Sequence, residues 1–288
     1  MTSVLYDVPG PAARRRSRVW SAVGAVVVVG LVAAALARLA SQGALAPEAW
    51  SPLADPDVWT FLLEGLLATL RAAALAAVLA AALGFVLAVL RRSSLSPVRW
   101  LAAAVVEVFR GLPVVLLMFL GVIALGLSIF QGVVFGLVVY NAAVIAEVLR
   151  AGIAGLPRGQ GEAAEAIGMS RFQVLSVVLL PQAVRTMLPT LVSQFVVLLK
   201  DTSLGYIVGY AELLRHSRLM AEFFGSDARL PMFVVAAALY ITVNFLLGRL
   251  AVHLERRGSS TGASGRSLRR RLLGGTSTAG AGAAGAER

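Results

Sequence analysis

Continuous apolar runs of bilayer-spanning length decide what this chain can become. A hydrocarbon core of ~30 Å is crossed by about 20 predominantly apolar residues in helical conformation. Six candidate runs are present: Val19 to Leu39, Leu62 to Leu90, Trp100 to Leu127, Val133 to Leu149, Val184 to Leu199 and Met232 to Leu254. They are unbroken and rich in Leu, Ala and Val rather than alternating along short strands, which selects helices over barrel strands. With 58% hydrophobic and only 14% charged residues, the chain lacks the polar surface that a soluble fold requires. The sequence therefore predicts an all-α, polytopic integral membrane protein with about six transmembrane helices.

A net charge of +11 invites a nucleic-acid reading until the charges are located. Four arginines lie between Arg14 and Arg18, and seven lie from Arg256 to Arg288 against Glu287, so nearly all the excess sits outside the membrane body. Short basic flanks are retained on the cytoplasmic side, which accounts for this placement; the expected partner is the lipid bilayer, with no nucleic acid. Arg91, Arg92 and Arg99 mark a second inside loop, and Arg150, Arg158, Arg171 and Arg185 a third. Six crossings put these loops and both termini on one side, giving a multi-pass protein of the cell membrane with cytoplasmic N- and C-termini. Arg215, Arg218 and Arg229 fall on the predicted outside.

The expected organisation follows. Residues 1–18 form a basic cytoplasmic N-terminus and 19–40 an extra N-terminal transmembrane helix. Residues 41–60, with Pro47, Pro52 and Pro56, form an external loop carrying an interfacial Trp50 or Trp59. Residues 61–254 form a five-helix core with a cytoplasmic loop at 150–181, and 255–288 form a disordered basic tail. Ala-x-Ala patterns after the first run raise a cleaved signal peptide as an alternative, but the run is longer than a usual signal core and a retained helix is favoured.

No catalytic, cofactor-binding or metal-ligating set is expected. The chain has no cysteine, and His216 and His253 are far apart without companion carboxylates. Gly258-Ser259-Ser260-Thr261-Gly262 and the Gly280 to Gly285 run imitate a nucleophile elbow and a dinucleotide fingerprint, but neither follows a strand or opens a helix. A P-loop needs Gly-Lys, and the single lysine, Lys200, follows Leu199. The Gly132/Gly136 and Gly205/Gly209 pairs match a pattern that allows close helix approach, although such pairs are expected by chance in a sequence with 28 glycines.

Within the third run, Arg110-Gly111-Leu112-Pro113 predicts a break or kink, because proline removes a donor and disfavours helix at the preceding residue. Glu107 with Arg110, and Glu147 with Arg150, stand three apart on one helical face. Each is read as a structural salt bridge, with a role in a transport path or gate as the alternative.

From Arg158 to Pro181 the chain is polar enough to leave the membrane yet keeps helical character, and Gly168 divides it into two short helices. Ala163 and Ala164 offer an exposed small-residue surface onto which a partner can pack, with Glu162 near the helix start to cap or anchor it. An ordinary interhelical loop is the competing reading. The run Glu162-Ala163-Ala164, Gly168, and Val178 to Pro181 resembles the EAA signature of ABC-importer permease subunits, with valine where isoleucine is usual. Gly65 to Leu70, Arg110 to Pro113, Gly159-Gln160-Gly161-Glu162, Leu180 to Ala183 and Lys200 to Leu204 extend the resemblance to the polar amino-acid permeases of the histidine, glutamine and glutamate type, the glutamate permeases above all. It covers roughly Phe61 to His253.

The resemblance implies a type I ABC importer permease fold with a cytoplasmic coupling helix, in a transporter subunit that is not itself an enzyme. ATP and Mg would be held by separate ATP-binding subunits. A second permease subunit would complete a homo- or heterodimer, and an external solute-binding protein would deliver the cargo. Gly159, Gln160, Glu162, Ala163, Ala164, Gly168, Phe172 and Pro181 would then couple to the ATPase. Polar groups in or beside the spans are candidates for the substrate path: Thr69, Glu107, Arg110, Tyr140, Asn141, Glu147, Gln194, Lys200, Asp201, Thr202 and Ser203. Lys200 with Asp201 also reads as a structural charge cluster at the external boundary. Glutamate is the expected cargo; arginine, glutamine or an opine, and a pore working without an ATPase, are the alternatives.

Overall fold

The computed structural model describes residues 10–249. The expected disordered tail, the end of the last apolar run and His253 lie outside the described residues. Helices account for the described architecture: α1 (Pro11–Ser41), α2 (Pro47–Trp50), α3 (Pro56–Leu90), α4 (Ser96–Gly111), α5 (Val114–Phe119), α6 (Ile129–Ala154), α7 (Gly159–Ala166), α8 (Arg171–Gln173), α9 (Leu180–Asp201) and α10 (Leu213–Phe224). A last apolar span, α11, covers Ser226–Arg249. Proline stands in the first turn of α1, α2 and α4, where a missing N–H costs nothing.

Five spans are long and apolar enough to cross a membrane among the described residues, and α4 with the α5 segment makes a sixth if that bent pair is counted as one. The predicted third span is thus two helices bent by 107°. Leu112, extended at φ −88° and ψ 139°, is the residue that the proline ring forces out of helix. The stretch read as an external loop is also partly helical, holding α2 and a tight turn over Ser51–Ala54, and α3 begins at Pro56.

The chain divides into two compact units. The first comprises residues 10–62 and 216–235. Its buried side chains include Val58, Leu62, Ser217 and Met232. Ser217 Oγ donates to the Met232 carbonyl at 2.9 Å, Trp59 Nε1 donates to the Leu53 carbonyl at 2.9 Å, and the His216 ring lies 4.4 Å from that of Phe61. None of the residues of α1 is buried, so its apolar surface is left to lipid.

The second unit comprises residues 63–215 and 236–249 and is organised on α6. Ser128 and Gln131 form a capping box that fixes the start of α6, at 3.3 and 3.1 Å. Small residues then let neighbouring backbones approach. Ala72, Ala76, Ala80, Gly84 and Ala88 recur every fourth residue on α3 and are buried. A Cβ on Gly84 would lie 2.9 Å from the Ala142 carbonyl oxygen on α6.

The Gly132/Gly136 pair, which sequence alone could not tell from chance, proves to be a close contact. A Cβ on Gly136 would lie 2.6 Å from Met118 Cγ and 2.7 Å from its backbone nitrogen, and Gly121 sits against Gly132 across the same seam. In lipid, where apolar burial gives no net drive between helices, such fit supplies the association energy. The Gly205/Gly209 pair differs, since Gly209 adopts φ 93° in a turn.

The seam yields a direct test. Gly136→Ala is expected to cost about 1–3 kcal/mol by overpacking against backbone, read as a lower thermal midpoint of the detergent-solubilised protein. Gly111→Ala, whose Cβ would meet nothing within 4 Å, should leave the midpoint in place.

Candidate coupling surface and polar cluster

Leu156-Pro157 closes α6, and α7 follows with Glu162 in its first turn, where a carboxylate suits the helix dipole. No side chain caps α7, so Glu162 acts through charge rather than as a cap. The C-terminus is a Schellman turn: Gly168 N–H donates to the Glu165 carbonyl at 3.0 Å and Met169 N–H to the Ala164 carbonyl at 3.2 Å. Gly168 takes φ 85° there, a conformation that a side chain disfavours.

Beyond Gly168 the structure departs from the expected pair of short helices. Ser170 and Gln173 form a second capping box, and from Arg171 the chain runs as one span to Val208. Proline at 181 lacks an N–H and crowds the carbonyl four residues earlier; the wider π turn over Val174–Leu179 accommodates it without ending the helix.

The exposed small-residue surface also needs correction. Ala163 is exposed, but Ala164 is buried in the cluster that holds Val174 and Leu175, because it lies on the α7 face turned to the π turn. The outward surface consists of Glu162, Ala163, Glu165 and Ala166, continued by Ile167 at 80% and Phe172 at 66% exposure. Two large apolar side chains thus flank Gly168 with nothing over them among the described residues. Gly159 and Pro181 are exposed; Gln160 is half-buried, its Oε1 enclosed without a hydrogen-bond partner among the described residues. Between the end of α6, α7 and the π turn lies a cavity of about 620 Å³ with Arg92, Arg158, Glu162, Glu165 and Arg171 in its lining.

The charged pairs behave differently from each other. Glu107 and Arg110 bond bidentately at 2.7 Å but are 64% and 40% exposed. Glu147 receives Arg150 at 2.6 Å and, from 56 residues away in sequence, Arg91 at 2.6 Å. That second cation ties the end of α3 to α6, a contact the three-residue spacing does not reveal.

Among the path candidates the structure brings Asn141 and Gln194 together: Gln194 Nε2 donates to Asn141 Oδ1 at 2.8 Å, while Asn141 Nδ2 donates to the Leu137 carbonyl at 2.8 Å. This joins α6 to α9 and satisfies a fully buried amide. Tyr140 is half-buried against the core. Thr202 is buried and Ser203 half-buried, their hydroxyls donating to the Leu199 and Lys200 carbonyls at 2.6 and 2.8 Å. Asp201 is half-buried and Lys200 exposed.

A polar cluster that sequence reading missed lies around Glu212. This fully buried carboxylate accepts from the Leu214 and Arg215 N–H groups, both at 2.9 Å, and from the Tyr240 hydroxyl at 2.5 Å. Buried Thr69 stands beside it, accepting from the Leu213 N–H at 3.1 Å and donating to the Gly65 carbonyl at 3.0 Å. The amphipathic run from Leu213 was the available signal, since it makes Glu212 a capping residue. Nothing local pointed to Tyr240.

Comparison with known proteins identifies this arrangement. Residues 80–259 match the family described as binding-protein-dependent transport system inner membrane component. The glutamate transport system permease protein GluD of Corynebacterium glutamicum is 41% identical over 228 residues, covering 76% of this chain and 83% of that protein. The glutamate/aspartate import permease protein GltK of Escherichia coli O6:H1 is 37% identical over 212 residues, covering 68% and 93%. Among solved structures, an amino acid ABC transporter crystallised with histidines superposes with a TM-score of 0.65 at 28% identity, over 71% of this chain and 97% of that one. The chain belongs to the family of binding-protein-dependent transport system inner membrane components, as a multi-pass permease of the ABC-importer type.

Proposed function

We propose that this chain is the permease subunit of an importer for polar amino acids, with glutamate as the principal cargo, and that ATP hydrolysis occurs in separate ATP-binding subunits holding ATP and Mg. The observation that carries the coupling reading is the exposed Ile167 and Phe172 on either side of Gly168. Uncovered apolar anchors beside a short, rigidly terminated helix are what a docked partner desolvates. Gly159, Gln160, Glu162, Ala163, Gly168 and Phe172 belong to that docking loop. Ala164 and Pro181 act from behind it, one seating α7 on Val174 and Leu175, the other setting the π turn.

The glutamate assignment rests on the relatives from Corynebacterium glutamicum and Escherichia coli. A second permease subunit, identical or homologous, completes the pathway, and an external solute-binding protein delivers the cargo. Closure of the ATP-binding subunits moves α7, and the spans exchange two packings that open the path to one side at a time. The basic loops that hold Arg91, Arg92 and Arg158, with both termini, face the cytoplasm.

Two measurements test these readings. In liposomes containing the chain with its ATP-binding and solute-binding partners, labelled glutamate uptake should require ATP. Ile167→Asp should lower it by more than about tenfold, the scale of losing one apolar anchor, while the variant still inserts. Competition by glutamine and arginine ranks the cargo, and flux without ATP would defeat the coupling argument. Because the chain has no cysteine, single introduced thiols report sidedness. A membrane-impermeant maleimide should label Ala54→Cys in intact cells and Ala163→Cys only after permeabilisation.

A further inference from the structure

The cavity of about 620 Å³ beside α7 is lined wholly by residues of the second unit. Three of its cations come from three separate places in the chain. Arg92 follows the end of α3 by two residues, Arg158 follows the end of α6 by four, and Arg171 opens the span Arg171–Val208. Each arginine thus stands at or just beyond a span end, so all three lie near the level of the lipid headgroups on the face with the basic loops. None of the three guanidinium groups has an ion pair or a hydrogen bond among the described residues.

Glu162 and Glu165 line the same cavity, yet neither carboxylate pairs with any of these arginines. Both stand on α7, the wall formed by the loop, whereas Arg92 and Arg171 adjoin the spans. Three arginines against two glutamates leave the lining with one positive charge in excess. The remaining wall includes Ile153, Val174 and Leu175, buried apolar side chains supplied by the spans themselves.

Unpaired guanidinium groups around one cavity, with apolar wall beside them, match a phosphodiester on its glycerol stem. Arginine holds phosphate oxygens bidentately, and the apolar wall suits the start of an acyl chain. Basic pockets between spans on the cytoplasmic side bind lipid headgroups in this manner. We propose that this cavity binds the phosphate of an anionic phospholipid of the cytoplasmic leaflet, with Arg92, Arg158 and Arg171 as its ligands. The excess positive charge favours a lipid with one net negative charge, such as phosphatidylglycerol, over a zwitterionic one. The inference rests on the importer reading and the sidedness given above, and adds a ligand to them. Val174 and Leu175 line the cavity and also seat Ala164 of α7, so a lipid held there supports the docking loop from the membrane side.

The test uses the complete importer, with labelled phosphatidylglycerol as the probe. Arg92→Gln, Arg158→Gln and Arg171→Gln should each weaken its binding to the solubilised complex by about tenfold, the scale of losing one charge-assisted bond. Arg171→Lys should weaken it less than Arg171→Gln, because the charge remains while the fork is lost. A matched loss of charge on α1, Arg15→Gln with Arg16→Gln, should leave the affinity in place, which separates a site from general attraction to basic segments. In vesicles, glutamate uptake by the wild type should rise when phosphatidylglycerol is added to phosphatidylcholine, and uptake by the three Gln variants should lose that response. Wild-type lipid affinity in all three variants overturns the site and leaves the importer reading standing, even where uptake falls equally in both kinds of vesicle, since the arginines then serve the ATP-binding subunits. Displacement of the lipid by inorganic phosphate, but not by chloride at the same ionic strength, makes a soluble phosphate the occupant, and the lipid assignment falls. Failure of the wild type to take up any amino acid with ATP overturns the importer reading, while the lipid affinities still decide the site.

Discussion

Hydrocarbon offers a peptide group no hydrogen-bond partner, and most of what is distinctive here follows from how the chain meets that constraint. Where lipid is the neighbour, as along α1, the helix is unbroken for 31 residues. Two π turns interrupt regular helix. In Leu120–Ala124, Gly121 packs on Gly132 while Leu120 and Ile123 remain exposed, and Val174–Leu179 packs against α7 through Val174 and Leu175.

The second consequence concerns what holds spans together when apolar surface is already at home in the solvent. Close fit and a few buried polar bonds take over. The fourfold alanine spacing on α3, the glycine seam of α6 and the Asn141–Gln194 bridge act in this way within one unit. Glu147, shared between Arg91 and Arg150, adds charge to the same economy of contacts.

Sequence reading went furthest where the signal was local. Unbroken apolar runs located the spans, Pro113 located the break, and three-residue spacing found Glu147 with Arg150. The 107° bend was not legible, because proline dictates that Leu112 leaves helix but not where the next helix packs. Arg91 escaped because its partner is 56 residues away. In α7, alanines stand on several faces, so nothing local told that Ala164 points inward and that Ile167 and Phe172 carry the exposed apolar surface. Glu212 escaped because Tyr240, which closes on it, is 28 residues away. The Gly132/Gly136 seam could not be told from chance among 28 glycines, since only the partner surface gives such spacing meaning.

The continuity of the span from Arg171 to Val208 has a mechanical side. At 1.5 Å per residue, the 18 steps from Arg171 to Pro189 make a segment of about 27 Å, so a tilt of about 5° at one end would sweep the other through about 2 Å. A helix broken at Pro181 would absorb that motion as a bend. By widening instead of stopping, the chain would carry it as far as Pro189, where the missing N–H of a second proline inside α9 gives the span a place to bend.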